Sequence, residues 1–376
     1  MENEKTFNPK IYSFILGPYA KTKITEQILN GTIKNIKDLK NRFSIDVINK
    51  GFYKQISELF NNLVSNIEYN ANLEKKSYFV IRLIERTIFC WFLKNKKIDN
   101  IPLISDDILS KNAVLNNSDY YHTVLENLFF NKLQTIINSN LFKPINDDLD
   151  NNIKITNNWF EQFFDVLEAY NFTIDENTSI DIELSIDPEI LGKLFEKLLA
   201  EINNQSGESK RHATGSYYTP RQIVDYMVDE SLKHYLISKT LIDEQIIDNI
   251  LNYYIDITGL DENDKNKIIN AIDEIKIIDI ACGSGAYPMG ILQKLLYILH
   301  KIDSIDNNFV RKLNIIENTI YGVDKQEMPI EITKLRFFLS LISDVETNIN
   351  TLSNIKINFV CADSLITVHQ SNLLSE

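Results

Sequence analysis

Apolar positions follow two different patterns along the chain. From about Asp46 to Asn140 they recur every three or four residues, the spacing of one face of a helix. Phe52, Ile56, Leu59, Phe60 and Leu63 form one such stripe; Phe79, Leu83, Ile84, Ile88, Trp91 and Phe92 form another. Little strand-type alternation interrupts them, so the first ~175 residues are predicted to be mostly helical. The polar run Asn146 to Asn152 reads as a loop within that block, and Asp175 to Ser179 as a boundary after it.

From Asp187 the punctuation changes. Asp187 followed by Pro188 predicts a helix N-cap with proline at the first helical position, and Ile190, Leu191, Leu194, Phe195, Leu198 and Leu199 share the next apolar face. Asn203 to Gly215 is polar and reads as a loop. Thr219 and Pro220 repeat the cap-plus-proline start, before a helix carrying Ile223, Val224, Met227, Val228 and Leu232. Lys276-Ile277-Ile278-Asp279-Ile280 predicts a short strand that turns through Cys282-Gly283-Ser284-Gly285 into a helix ending about His300. Ile320 to Val323 predicts a second strand, closed by Asp324 and followed by a helix from near Pro329. Ile355 to Val360 predicts a third, leading to Asp363. Strand, helix, strand, helix, strand is the rhythm of a parallel sheet covered by helices. No internal repeat is visible.

Composition narrows the function classes. With 376 residues the chain is long enough for two domains, and 44% hydrophobic with 24% charged residues is an ordinary globular balance. Lys plus Arg number 39 and Asp plus Glu 52, a formal charge of −13. Affinity for a phosphate backbone comes mainly from clustered Lys and Arg, so a nucleic-acid role has to rest on local patches or on another polypeptide. The three cysteines, Cys90, Cys282 and Cys361, form no CxxC pair; this excludes a disulfide framework and the usual Cys-rich zinc patterns and suits a reducing cytosol. The histidines at 122, 212, 234, 300 and 369 show no metal-ligand spacing, so no metal site is expected. The N-terminus lacks the layout of a secretory signal. The most apolar stretch, Tyr78 to Leu93, is broken by Arg82, Glu85 and Arg86 and reads as a buried helix rather than a bilayer span. The expected location is cytoplasmic, with no membrane partner.

Chemistry concentrates in Asp279-Ile280-Ala281-Cys282-Gly283-Ser284-Gly285-Ala286-Tyr287, where a predicted strand becomes a helix. Two glycines two apart let a ligand approach the backbone, and a helix start presents free N–H groups to an anionic group. Pro288 stands where a dinucleotide fingerprint needs its third glycine, which counts against NAD and FAD. Asp324, at the second strand end, is placed to accept from ribose hydroxyls. It lies 39 residues beyond Gly285, further than the usual ~20, so an extra helix over Asn308 to Glu317 is expected in the gap. Asp363, at the third strand end, can accept from an adenine amino group. Glu274-Ile275-Lys276 has a nuclease-like E-x-K spacing but leads straight into the first strand and is read as structural. Lys210-Arg211-His212 is read as a solvated loop.

With those residues in view, the chain resembles a known family. Gly215-Ser216-Tyr217-Tyr218-Thr219-Pro220 looks like the opening motif of the γ-class adenine-N6 DNA methyltransferases. Asp279 to Gly285 looks like their S-adenosylmethionine (AdoMet) loop, D-P-A-C-G-S-G. Tyr321-Gly322-Val323-Asp324 and Asn358 to Ser364 resemble their second and third cofactor motifs. Gly283 to Gly290 and Lys334-Leu335-Arg336 are most similar to the methylase region of type IIG restriction–modification enzymes. Asp187 to Gly192 and the Phe79 to Leu93 helix are similar to the helical segment that precedes it. The resemblance implies an α/β methyltransferase fold, Rossmann-like with a largely parallel sheet, preceded by a mostly α-helical domain. It implies a helical domain over 1–178 and the AdoMet-binding first part of the methylase over 179–376, with the sheet incomplete. AdoMet would be held by Tyr218, Thr219, Pro220, Asp279, Ala281, Gly283, Ser284 and Gly285, with Asp324 on the ribose and Asp363 on the adenine amino group.

One motif of that family is missing. The eight prolines stand at 9, 18, 102, 144, 188, 220, 288 and 329, so the Asn-Pro-Pro-Tyr or Phe motif that grips the flipped adenine does not occur. Asn8-Pro9-Lys10 is its nearest imitation and lacks the second proline and the aromatic. The expectation is therefore a fragment of a type IIG-like DNA methyltransferase that lacks the catalytic motif and the target-recognition region, has no catalytic residues of its own and is inactive alone on double-stranded DNA, a companion chain carrying the motif being one way to complete it. The alternatives are a non-catalytic cofactor- or DNA-associated subunit, or a methyltransferase with a substrate other than DNA.

Overall fold

The computed structural model describes residues 11–13, 45–98, 101–137, 139–174, 181–183, 186–205, 219–253, 255, 257, 260–303, 308–345 and 355–366. Contacts gather the chain into two units: Met1–Ser216 with Phe338–Asn354, and Tyr217–Phe337 with Ile355–Glu376.

Among its described residues the first unit is mainly helical. In chain order it contains β1 (Ile11–Ser13), α1 (Ile45–Asn66), α2 (Leu73–Asn95), β2 (Lys97–Ile98), β3 (Ile101–Pro102), α3 (Lys111–Leu115), α4 (Asn157–Glu168), β4 (Asp181–Glu183) and α5 (Glu189–Gln205). Two wide-turned π-helical segments, Tyr121–Leu125 and Asn127–Leu133, lie between α3 and α4. The short strands pair β1 with β4 in parallel and β2 with β3 antiparallel, small additions to a block read from sequence as helical. The Asn72 side chain accepts from Lys75 N–H at 2.9 Å and starts α2, whose residues from Phe79 to Leu93 are buried except Arg82. The helix predicted after Asp187 forms but begins at Glu189, one residue beyond Pro188, with Asp187 Oδ1 accepting from Glu189 N–H at 3.1 Å. Within the predicted loop Asn146 to Asn152, Asn146–Leu149 forms a tight 3-10 turn, and Asp148 is fully buried.

The second unit carries the alternating pattern. Its elements are α6 (Arg221–Thr240), α7 (Glu244–Leu251), α8 (Glu262–Glu274), β5 (Ile277–Asp279), α9 (Ala286–Ile302), α10 (Asn308–Asn318), β6 (Ile320–Asp324), α11 (Glu327–Ser343, entering the first unit at Phe338) and β7 (Phe359–Cys361). The three strands make one parallel sheet in the order β5-β6-β7. Ile278 faces Tyr321 in register, and Val323 faces Val360. The extra helix expected after Gly285 is α10. Two expectations shift. The third strand pairs only over Phe359–Cys361 rather than from Ile355. Pro220 is itself the N-cap of α6, with ψ of 140°, so the helix begins one residue later and no side chain caps it.

Candidate functional site

The end of β5 is built by a chain of hydrogen bonds through the glycine turn. Asp279 Oδ1 accepts from Ala281 N–H at 3.1 Å, Cys282 N–H donates to Val323 C=O at 3.0 Å, and Gly285 N–H donates to Cys282 C=O at 2.9 Å. Gly283 and Gly285 have φ of +52° and +83°, a region that L side chains rarely adopt. Gly285 is doubly constrained, since a Cβ there would stand 2.7 Å from Thr333 Cγ2. Gly283 is the reverse case: a Cβ would meet nothing within 4 Å, so the backbone at that point is open to an approaching group.

β6 and α11 hold the turn in place. Asp324 Oδ2 accepts from Gly283 N–H and Oδ1 from Gln326 N–H, both at 2.9 Å. Each carboxylate oxygen keeps acceptor capacity for a further donor. From α11, Thr333 Oγ1 donates toward Gly283 C=O at 3.0 Å and the Arg336 guanidinium donates to Ser284 C=O. Both side chains are buried. The sequence offered Arg336 only as part of a Lys-Leu-Arg resemblance and gave no signal for Thr333, whose role rests on a fold contact 50 residues away.

Asp279 is the least satisfied group of the turn. Its Oδ2 is buried with no hydrogen-bond partner. Burial raises its pKa from the ordinary carboxylate value; the Ala281 N–H lowers it, and the nearby Asp324 raises it. Cys282 is also buried, and burial together with Asp279 and Asp324 pushes its thiol pKa up, which makes it inert rather than nucleophilic.

The remaining expected site residues fall around this turn. Ala362 N–H donates to Asp324 C=O at 2.9 Å, which sets the end of β7 beside the end of β6. There Asp363 accepts from Leu365 N–H at 3.1 Å and pairs with Lys325 Nζ at 3.2 Å, and these two partners hold its pKa below the usual value. The pairing with Lys325 was not read from the sequence. Thr219 and Pro220 precede α6, which packs closely on α9: a Cβ on Gly290 would stand 2.7 Å from Val224 Cγ1. Tyr287 Oη also lies 3.0 Å from Met227 Sδ. Further along the same helix pair, buried Lys294 lies 2.7 Å from Asp229, donates to Leu251 C=O at 3.0 Å and sits 3.9 Å from the Tyr253 ring centre. Burial lowers the Lys294 pKa, and Asp229 raises it in part. Tyr218, Gly215 to Tyr217 and Lys210 to His212 lie outside the described residues.

Among the described residues, no group of three or more His, Cys, Asp or Glu is placed to hold a metal ion, and no helix is long and apolar enough to cross a membrane. No family model matches the chain. A Methanocaldococcus jannaschii protein that bears the name of a type II restriction enzyme and methyltransferase is 27% identical over 404 residues. The match covers 94% of this chain and 33% of that relative, so the chain spans about a third of the relative's length. Among solved structures, the type IIL restriction–modification enzyme MmeI in complex with DNA matches 83% of this chain and 40% of its own, with 14% identity and a TM-score of 0.46. A modification subunit assigned to a type I restriction enzyme of Vibrio vulnificus matches 77% and 54%, with 14% identity and a TM-score of 0.39. TM-scores of this size do not establish a common fold. What the comparisons give is sequence similarity, along nearly the whole chain, to part of a protein named for restriction and methylation.

Proposed function

We propose that the chain is the AdoMet-binding portion of a site-specific adenine-N6 DNA methyltransferase of a type IIG-like restriction–modification system. On this reading residues 1–178 are its helical domain and 179–376 the first part of a Rossmann-like methylase domain. The observation that carries the reading is the glycine turn: an open backbone at Gly283 beside a buried, unpartnered Asp279 oxygen and an Asp324 carboxylate with acceptor capacity to spare. Those features suit AdoMet, which brings an ammonium and a carboxylate at one end and ribose hydroxyls at the other. The orphaned Asp279 oxygen needs a donor such as the ammonium. Gly283, Ser284 and Gly285, with Thr219 and Pro220 and by resemblance Tyr218, would hold the methionine end. Asp324 would accept from the ribose hydroxyls and Asp363 from the adenine amino group, in competition with Lys325. When bound, AdoMet supplies an electrophilic methyl group on a sulfonium.

The protein's contribution is to position and to exclude. Thr333 and Arg336 hold the carbonyls of Gly283 and Ser284, so the turn is organised before a ligand arrives. Nothing described in this chain aligns an adenine amino nitrogen, a poor nucleophile that needs acceptors for its hydrogens. That alignment and most of the hold on double-stranded DNA are assigned to polypeptide outside these residues, in keeping with the −13 charge.

Calorimetry with AdoMet tests the reading. The chain should bind, and Asp324→Ala should weaken binding by ~1–3 kcal/mol through loss of a charged hydrogen bond. No binding at ~1 mM ligand, an affinity limit near 4 kcal/mol, by a folded chain overturns it. Labelled methyl should not pass from AdoMet to unmethylated DNA with the chain alone, and robust incorporation would refute the division of labour.

A further inference from the structure

Three helices of the second unit meet at one buried cation. Lys294 of α9 is 2% exposed. Its Nζ lies 2.7 Å from Asp229 of α6, donates at 3.0 Å to the C=O of Leu251, the last residue of α7, and sits 3.9 Å from the Tyr253 ring centre. On the same face of α9, Tyr297 and Lys301 donate to the Asn252 C=O at 2.9 and 2.6 Å. Side chains of α9 therefore satisfy carbonyls that the end of α7 leaves open. From the other side, Lys233 of α6 pairs with Glu244 and Asp248 of α7 at 2.7 and 2.8 Å. α7 is a brace tied to both neighbours, and Lys294 joins all three helices.

α6 and α9 also touch directly. Val224 and Val228 close on Gly290, where a Cβ would stand 2.7 Å from Val224 Cγ1 and 3.3 Å from Val228 Cγ2. α6 starts at Arg221 and α9 at Ala286, three and four residues before this contact. At about 1.5 Å per residue, each helix start is within about 6 Å of it along the axis. The turns that open these helices, Thr219-Pro220 and Gly283 to Gly285, are the two assigned above to the methionine end of AdoMet. The gap between them is set by how α6 is seated on α9. Apolar side chains of similar volume often stabilise a helix contact as well as a buried ion pair does, but the pair specifies one register where apolar surfaces admit several.

We infer that Lys294 is a positioning residue for the AdoMet site: by holding Asp229 of α6 and the end of α7 at once, it fixes one seating of α6 on α9 across Gly290, and with it the gap between the Thr219-Pro220 and Gly283–Gly285 turns. Lys294 stands eight residues beyond Ala286, about 12 Å along the axis from the start of α9, so it acts through the helices and not on the ligand. The inference deepens the proposed function and rests on it. Around Lys294 stand Asp229 and Asp225 of α6, Tyr253 beyond α7 and Tyr297 of α9 itself, and Glu230 acts on Asp229. Burial lowers the Lys294 pKa, and Asp229 and Asp225 raise it in part. The charge that seats the helices is therefore lost as pH rises through a value below the ordinary lysine one.

The test is calorimetry on the full chain, read beside its melting temperature. Lys294→Met combined with Asp229→Leu replaces the pair by apolar side chains. AdoMet affinity should fall roughly tenfold or more while the melting temperature stays within about 5 °C of the parent's. A pH series with the demethylated product as probe adds a second readout. The gap between parent and double variant should close as pH rises through the Lys294 pKa, because the parent then loses the charge too; titration of the ligand's own amine is common to both and cancels. Equal affinities at neutral pH overturn the inference. So does a gap that stays constant through the alkaline range, or an affinity loss that only follows a loss of melting temperature. If the double variant does not fold, Gly290→Ala tests the same contact. It should weaken binding, and adding Val224→Ala, which clears the 2.7 Å approach, should restore it; no loss, or loss without rescue, overturns the inference. A parent chain that binds no AdoMet at ~1 mM sinks the cofactor reading and this inference with it. A parent that binds while the double variant binds equally well sinks this inference alone.

Discussion

Acids withdrawn from water occur in both units, fully buried in the first and half-buried in the second, and they are handled in opposite ways. In the first unit Asp148 accepts from Arg82 at 3.1 Å, from Arg86 at 2.9 Å and from Ile145 N–H at 3.1 Å. Burial alone would raise its pKa, but Arg86, with Arg82 and the Ile145 N–H, outweighs this and leaves it lowered. Arg86 also donates through Nε to the Leu141 carbonyl and through Nη2 to the Lys143 carbonyl, and it lies 4.9 Å from the Phe130 ring centre. That network turns its charges on one another, with Arg82 Nε left buried and unbonded. In the second unit Asp279 and Asp324 are bonded mostly to backbone N–H groups of a turn whose Gly283 faces open space, and one Asp279 oxygen has nothing to bond. Glu85 completes the comparison. It is more orphaned than Asp279, with both oxygens unpartnered, yet it sits in the middle of α2 among buried residues. An unsatisfied buried acid therefore points to a ligand only where the backbone beside it is accessible.

The sharpest way to break the comparison is to open the Arg82–Arg86–Asp148 network. Asp148→Asn leaves the Arg82 and Arg86 charges without their counter-ion, Arg86 in a buried position. Removing one partner of a buried pair typically destabilises by ~3–5 kcal/mol. Urea unfolding should show a loss of that size, while AdoMet affinity measured on still-folded protein should not change. A loss under ~1 kcal/mol would mean that the network is no more than a surface ion pair in effect.

A smaller change is expected at the open site. Gly285→Ala forces an L residue to φ of +83° and sets its Cβ 2.7 Å from Thr333. Strain of this kind is worth ~1–3 kcal/mol. Here the effect should appear in both readouts, a lower melting temperature and weakened AdoMet binding, because Thr333 also holds the Gly283 carbonyl. A variant that melts normally and binds normally would show that the turn is not the ligand's seat.

The two regions were also unequally legible in the sequence. The glycine turn, its strand, Asp324 and the intervening helix α10 are written locally, as apolar runs ended by glycines and acids, and the fold places them together. The Arg82–Asp148 network could not be read, because its partners stand 66 residues apart and Asp148 lies in a run whose polarity signals a loop. Arg82, Glu85 and Arg86 showed only that the stretch was unsuited to a bilayer. Strand pattern likewise predicts that Ile278 is apolar but not that it is exposed, since covering depends on the elements that pack on it. Residues 244–273, with α7 and most of α8, hold no motif from which their place could be read.

The smallest effect concerns Glu85, and it turns on sign. Burial raises the Glu85 pKa well above the ordinary carboxylate value, against the lowering influence of Arg86 and Arg82, whose hydrogen bonds go elsewhere. A folded-state pKa above the unfolded one means that the fold prefers the neutral acid. The stabilising contribution is complete below the unfolded value and is lost as pH rises through the folded one. Glu85→Gln keeps the shape and removes the ionisation. Its unfolding free energy should match the parent chain's in acid and exceed it once the pH has passed the folded pKa. If the two curves stay parallel across the pH range, Glu85 has found a partner in solution. The distinction between a closed core acid and the open Asp279 would then rest on accessibility alone and not on satisfaction.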